Sequence, residues 1–352
     1  MAIHVILLFI VIFVSFGWNK KNSRTISFVC AFLFFSLIAF RDGGCTDDAL
    51  VYKPIYDSLK EARWKLVSWV EPFSWLEINT SLLLGWSVKG WYFIIAFISA
   101  FFLGMSLPFF IHNRKEFTMY WIGLFLLQYF GCATVIIQVQ AAAMLMYIVV
   151  LQLKGRNKLS LLLMISLCLV HSASVLMIPL WFMIKYRDRI VKLDLHVMLP
   201  WFILILSLLG AVKSMILLGQ NFIPEEYSYI VTFIVEGNTD DKKGFLIFFS
   251  FACYLLLLKS VNCSKLSIEV KTVIICVMTY LCLYFSSFGV SMLHRVAYYL
   301  VFFSPFIFAY IRFKNKEAIL LSMFMIAYFI FTLFHFFYPF FEDYSGSVDL
   351  LS

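Results

Sequence analysis

The sequence predicts an all-α protein, a polytopic transmembrane helical bundle of about 12 spans (about 10–12), with extracytoplasmic loops at 41–89 and 217–244. Three observations predict it. Hydrophobic residues make up 63% of the chain and charged residues 14%, where soluble domains run near half apolar and about a quarter charged. The apolar residues come in repeated runs that approach the roughly 20 residues a helix needs to cross a core of about 30 Å. The polar breaks between those runs alternate in charge, as described below.

Taken in order, the first run, 2–18, has no basic residue before it and Lys20, Lys21 and Arg24 after it. It reads as an uncleaved outside-to-inside helix rather than a signal peptide. Run 26–40 leads to Arg41. Residues 41–72 form a polar island holding Arg41, Asp42, Asp47, Asp48, Asp57, Glu61, Arg63 and Glu71. The mixed stretch 73–86, with Trp75 and Trp86, suits a helix lying in the interface plane. Runs 90–111, 117–133 and 138–153 follow. Runs 159–171 and 172–185 are short at about 1.5 Å per residue, so this stretch is either a re-entrant pair or one kinked helix. After 195–216 comes the second long polar connection, 217–244, then runs 245–258, 272–290, 296–311 and 318–337. Linkers and repeats do not interrupt the pattern, and 1–352 reads as one integral membrane domain.

Orientation follows from lysine and arginine, which favour the cytoplasmic side. One alternating set of connections holds 18 of the 28 basic residues and 5 of the 20 acidic ones. It comprises 19–25, 112–116, 154–158, 185–194, 259–271 and 312–317. The other set, which includes 41–89 and 217–244, is net acidic. The island is therefore expected outside, with both termini. The chain's net charge of +8 is a topology signal, and no nucleic-acid partner is expected from it.

Polar groups set against a membrane are costly and so informative. Four groups fall near the outer boundary. Arg41 stands at the end of the second run with Asp47, Asp48, Tyr52 and Tyr56 beyond it, and Gly43-Gly44 permits a tight turn between. A snorkelling arginine beside an ordinary acidic loop reads the same way. Glu71, before Pro72, and Glu77 are expected at headgroup depth; Glu71 is a candidate acid, and an interfacial anchor with incidental acids reads the same way. His171-Ser172 lies between two apolar runs and is grouped with Gln138 and Gln140; packed histidines are commoner than catalytic ones. His294-Arg295 opens the run VAYYLVFF, and Arg295 is the only basic residue of its outer connection, where the charge rule disfavours one. Lys213 is a weaker companion. Neither a metal nor another cofactor is expected. Asp47-Asp48 is an adjacent pair whose side chains, in an extended segment, point to opposite faces, and the eight cysteines lack zinc spacing.

The pattern Arg-x-x-Gly-x-x-Asp, with Tyr52 five residues on, filled by Arg41, Gly44 and Asp47, resembles the opening of the EpsG / Wzy group. These are repeat-unit polymerases of bacterial O-antigen, capsule and exopolysaccharide assembly. Glu71 resembles the acid before the family's third spanning helix, LVHSA at 169–173 its mid-chain Phe-His-x-Ser-Ala, and Arg295 its late arginine. FYPFFEDY near the C-terminus has the family's look. One departure is plain. Where relatives carry an arginine at the start of a central helix, this chain reads IIQVQAAAM, with Gln138 and Gln140.

The resemblance implies a glycosyltransferase of the bacterial inner membrane. It would move a growing glycan from undecaprenyl diphosphate to the non-reducing end of an incoming lipid-linked repeat unit, on the periplasmic face. Its partners would be that lipid-linked oligosaccharide, membrane lipid and a chain-length regulator protein. Arg41 and Arg295 suit the departing diphosphate. Asp47, Asp48, Glu71 and His171 are candidates for the base. Tyr52, Tyr56, Gln140, His294 and Lys213 are candidates for holding sugar or lipid headgroup. A lipid-linked oligosaccharide flippase, an O-antigen ligase and an O-acyltransferase are the competing readings.

Overall fold

A computed structural model describes residues 2–39, 47–61, 64, 70–214, 266–287 and 293–310. Among them, every regular element is helical. The order is α1 (Ala2–Ser15), α2 (Ser23–Ala39), α3 (Asp47–Glu61), α4 (Pro72–Leu83), α5 (Val88–Phe110), α6 (Arg114–Thr134), α7 (Ile136–Leu153), α8 (Asn157–Ser166), α9 (Ile178–Lys185), α10 (Arg187–Lys192), α11 (Leu195–Leu208), α12 (Ile268–Ser286), α13 (Leu293–Ala297) and α14 (Phe306–Tyr310). Three of these, α5, α7 and α12, are long and apolar enough to cross a membrane. The expected runs 245–258 and 318–337, and the loop 217–244, lie outside the described residues.

The apolar runs form helices because nothing in them punctuates 3.6-residue periodicity, and they pack through small residues. α2 lies along α5 at closest approach beside Gly104, where a Cβ would stand 2.6 Å from the Phe28 Cα, so only glycine admits this contact. Buried Trp91, Tyr120, Trp121, Phe34 and Phe35 fill the interior. Phe9, Phe13, Phe97, Leu162 and Ile165 point outward. That apolar exterior suits lipid rather than water.

Two expected spans are remodelled. Run 296–311 is broken: α13 gives way to a 3-10 turn at Tyr298–Leu300, then irregular backbone, then α14. Pro305 is the reason, since it lacks an N–H and disfavours helical backbone in the residue before it. Irregular backbone at membrane depth needs protein partners. Here the Tyr120 hydroxyl donates to the Phe302 carbonyl at 3.0 Å, and Gln128 reaches Ser304 Oγ at 3.0 Å.

The stretch 157–185 is a hairpin, not one kinked helix. α8 and a 3-10 turn (Leu167–Leu169) rise to a tip at His171, and a second 3-10 segment (Ser172–Met177) and α9 return. Trp181 Nε1 donates to Ser160 Oγ at 3.1 Å, so the end of one arm lies beside the start of the other. The rising arm, ten α residues and three 3-10 residues, spans only about 21 Å, short of a core of about 30 Å.

Contacts between distant stretches bring the described parts of the basic connections toward one end of the bundle. Arg114 donates to the Phe16 carbonyl at 3.4 Å, Lys154 stands over the Phe109 ring, the Tyr310 hydroxyl donates to the Phe110 carbonyl, and Lys271 pairs with Asp188 at 2.6 Å. The α3–α4 region, the hairpin tip at His171 and α13 lie toward the other end.

Candidate functional site

At that other end α4 is inside out. Ser74, Glu77, Ile78, Ser81 and Leu82 are buried, while Leu76, Leu83 and Leu84 are exposed. The polar positions 74, 77 and 81 recur at i, i+3 and i+7, so one face carries them inward. Pro72 opens the helix at a position where its missing N–H costs nothing. A helix too short to span, with leucines outward and hydroxyls and a carboxyl inward, builds a polar interior.

Glu77 is the centre of this interior, 4% exposed. Gln140 Nε2, from α7, donates to its Oε1 at 2.5 Å, and Trp91 Nε1, from α5, donates to its Oε2 at 3.2 Å. Desolvation pushes its carboxyl up to about 7, and the two hydrogen bonds offset only part of this. Among the described residues its partners are neutral, so burial rather than pairing with a cation dominates its state. Gln140 serves Glu77 as a neutral donor.

A second cluster lies beside the first. His171 at the hairpin tip has extended backbone (φ −154°, ψ 115°), and its Nδ1 is 2.6 Å from the Tyr299 hydroxyl. Glu71, at the N-cap of α4, carries its charge within electrostatic range of that hydroxyl. Gln138 Nε2 donates to the Arg295 carbonyl, tying α7 to α13. The Arg295 side chain is exposed, and its guanidinium makes no hydrogen bond or ion pair among the described residues. The His294 ring stacks edge-on against Tyr298 at 6.3 Å. Counted from Lys154, Gln140 and Gln138 stand about 21 and 24 Å along α7, toward the end of that helix away from the basic connections.

The structure joins His171 to Tyr299, Gln138 to the Arg295 backbone and Gln140 to Glu77. Tyr52 packs edge-on against Trp91 at 5.8 Å, next to Glu77. Tyr56 is buried, and its hydroxyl donates to the Trp86 carbonyl at 2.5 Å, pinning α3 to the α4–α5 turn. Asp47 and Asp48 are the first residues of α3. They are helical, which corrects the extended pair expected from their sequence. Lys213 is exposed past a turn at Gly210, and no hydrogen bond joins it to either cluster among the described residues. Arg41 lies outside the described residues. Sequence reasoning missed Tyr299, one tyrosine in an aromatic run, and gave Glu77 no role in the site. The signal for Glu77 was the helical spacing of Ser74, Glu77 and Ser81.

A model of the EpsG family matches residues 23–345. The chain belongs to the EpsG family. Membership makes it a polysaccharide-polymerase-like membrane protein. No curated protein and no solved structure matches it. For an EpsG member, the central helix with Gln138 and Gln140 is where this chain's site departs from the family pattern noted above.

Proposed function

We propose that this EpsG-family protein is a glycosyltransferase that extends polysaccharide on the outer face of the bacterial inner membrane. It transfers a growing glycan from undecaprenyl diphosphate to the non-reducing end of an incoming lipid-linked repeat unit. One observation carries the reading. His171, Gln138 and the Arg295–Tyr299 segment come from three separated stretches and are joined by hydrogen bonds at the end of the bundle opposite the basic connections, with Glu71 in electrostatic range of Tyr299.

The chemistry asks for three things there. The anomeric bond breaks with its electron pair passing to the diphosphate, whose charge must be met. Arg295 and Arg41 suit this, since a guanidinium stays protonated and binds phosphate oxygens in a fork. The accepting hydroxyl attacks the anomeric carbon and gives up its proton to a base within hydrogen-bond reach. Glu71, Asp47, Asp48 and His171 are the candidates. The reacting sugars need orientation, for which Tyr52 and the exposed Trp64 and Trp86 offer faces. A site at that end of the bundle also keeps the lipid diphosphate close to its membrane anchor.

The test is deletion of the gene followed by glycan electrophoresis. Glycan capped at a single repeat unit is the expected result. A full ladder eliminates a polymerase. Loss of every repeat points instead to flipping or ligation.

A further inference from the structure

We propose that Gln138 is a positioning residue for the transfer: its amide fixes the backbone from which the Arg295 guanidinium reaches the departing diphosphate. This deepens the polymerase reading and rests on it.

Arg295 stands in the last turn of α13, a helix of five residues. So short a helix does not hold itself, because a first turn fixes many dihedrals for few hydrogen bonds. The carbonyls of a last turn also need partners from outside the helix. Downstream lie a 3-10 turn, irregular backbone and Pro305. Other elements supply what the segment lacks. Gln138 of α7 donates to the Arg295 carbonyl, and His171 Nδ1 meets the Tyr299 hydroxyl at 2.6 Å. Tyr120 of α6 donates to the Phe302 carbonyl at 3.0 Å, and Gln128 of α6 donates to Ser304 Oγ at 3.0 Å. Of these four bonds, the one from Gln138 falls on Arg295 itself. Gln138 is buried at the third position of α7, a helix long enough to cross a membrane, so the anchor is a rigid element.

The side chain of Arg295 is treated differently from its backbone. It is exposed, and among the described residues its guanidinium makes no hydrogen bond or ion pair. The main chain is held and the fork is not. Two parallel N–H bonds to diphosphate oxygens need that fork closely placed. A misplacement of about 1 Å costs on the order of 10²-fold in rate. Without the bond to its carbonyl, Arg295 is free to shift on that scale, and its fork shifts with it.

The same helix provides a matched control. Gln152, near the other end of α7, also donates to a main-chain carbonyl, that of Trp181 at 2.8 Å. Gln138 and Gln152 are 6% and 7% exposed, so the two amides are equally buried. Methionine has the length of glutamine without its donor. Either substitution to methionine therefore leaves one carbonyl short of a partner. A merely structural role for Gln138 predicts equal effects at both positions.

The test uses membrane vesicles from the deletion strain carrying full-length variants, supplied with the lipid-linked repeat unit which that strain accumulates. Initial rates of polymer formation are normalised to protein level. Gln138→Met is expected to lose about tenfold, and Gln152→Met less than about twofold. In an Arg295→Lys background, where the fork is already gone, Gln138→Met is expected to cost less than about threefold. Equal losses at Gln138 and Gln152, or an equal cost of Gln138→Met in both backgrounds, make Gln138 a packing residue and overturn the proposal. If Gln138→Met is not inserted, Gln138→Asn, whose amide is drawn back by one methylene, takes its place with the same expected order.

A second readout needs no turnover. A short-chain polyprenyl diphosphate is added to the purified full-length protein in detergent, and the thermal melt is followed. Gln152→Met is expected to respond as wild type does. Gln138→Met should need about tenfold more ligand for the same shift, and Arg295→Ala about 10²-fold more. An unchanged requirement in Gln138→Met overturns the proposal, and so does one in Arg295→Ala. If wild-type vesicles make no polymer at all, the polymerase reading itself falls, an outcome separate from every one above.

Discussion

The two ends of this bundle treat polar groups in opposite ways. At the basic end, charge is spent on topology. Arg114, Lys154 and Lys271 reach a carbonyl, a ring face and a partly exposed carboxylate, and the residues around them stay near water. At the other end, polar groups are taken inside. Glu77, Gln138 and Gln140 are buried, and each is held by a specific partner from another helix. Burying a polar group is costly unless its partners are supplied. The basic end buries neutral groups too, such as Thr118, Gln152 and Ser160, but among the described residues the buried carboxyl, Glu77, lies at the other end, and that marks where placement of charge matters.

The contrast breaks most visibly at the arginines. Arg295→Ala and Arg41→Ala are each expected to lower polymer output by about 10²–10³-fold at unchanged protein level, the usual loss on removing one preorganised donor from developing charge. Arg295→Lys keeps the charge but loses the fork and should fall between. The readout is glycan electrophoresis beside an immunoblot. Normal ladders in both alanine variants would remove the diphosphate clamp.

Much of this design was legible in the chain. The spans at 2–18, 26–40, 90–111, 117–133 and 138–153 have counterparts in α1, α2, α5, α6 and α7, because length and apolarity suffice to define them. The hairpin at 157–185 was ambiguous because thirteen or fourteen apolar residues fit a half-span as well as a kink, and only the Trp181–Ser160 contact decides. Hydropathy also passes over Pro305, which breaks the 296–311 run. Glu71, His171 and Arg295 stood out as polar residues at run boundaries. Tyr299 did not, because a tyrosine among aromatics offers no contrast, and its meaning comes from a partner 128 residues away. Gln140 was visible as a departure from the family pattern, but its partner Glu77 lies on another helix.

Glu77 sharpens the comparison at an intermediate scale. Glu77→Ala leaves the Trp91 N–H and the Gln140 amide without their partner in a buried site, and is expected to cost about 2–4 kcal/mol. Glu77→Gln should be nearly neutral. The Gln140 Oε1 has no hydrogen-bond partner among the described residues, so that amide can turn to accept from the new side chain. The sign of the pH effect follows from burial. The folded protein holds the Glu77 proton up to about pH 7, the unfolded chain only to about 4.5. Stability from this group is full below about pH 4.5 and is lost as pH rises through about 7, on the order of 3 kcal/mol. Thermal melts in detergent between pH 5.5 and 8 should fall for wild type and stay level for Glu77→Gln. A level wild-type profile would mean that Glu77 is not held neutral by burial.

The smallest effect belongs to the basic end. Lys271 and Asp188 form a 2.6 Å ion pair whose side chains are 24% and 64% exposed. The hydrogen bond from Lys271 holds the Asp188 carboxyl below its ordinary value. The pair's contribution is therefore present at neutral pH and fades as pH falls through the carboxylate range. Water and salt screen so exposed a pair, so Lys271→Ala should cost less than about 1 kcal/mol, a shift of no more than about 2 °C in the melt. High salt should erase even that, because the two charges face solvent across a few ångströms rather than a dry interior. Polymer ladders should be unchanged, since nothing links this pair to the clusters at the far end of α12. A ladder lost in Lys271→Ala at normal protein level would show that the basic end does more than orient the chain, and the division of labour between the two ends would have to be redrawn.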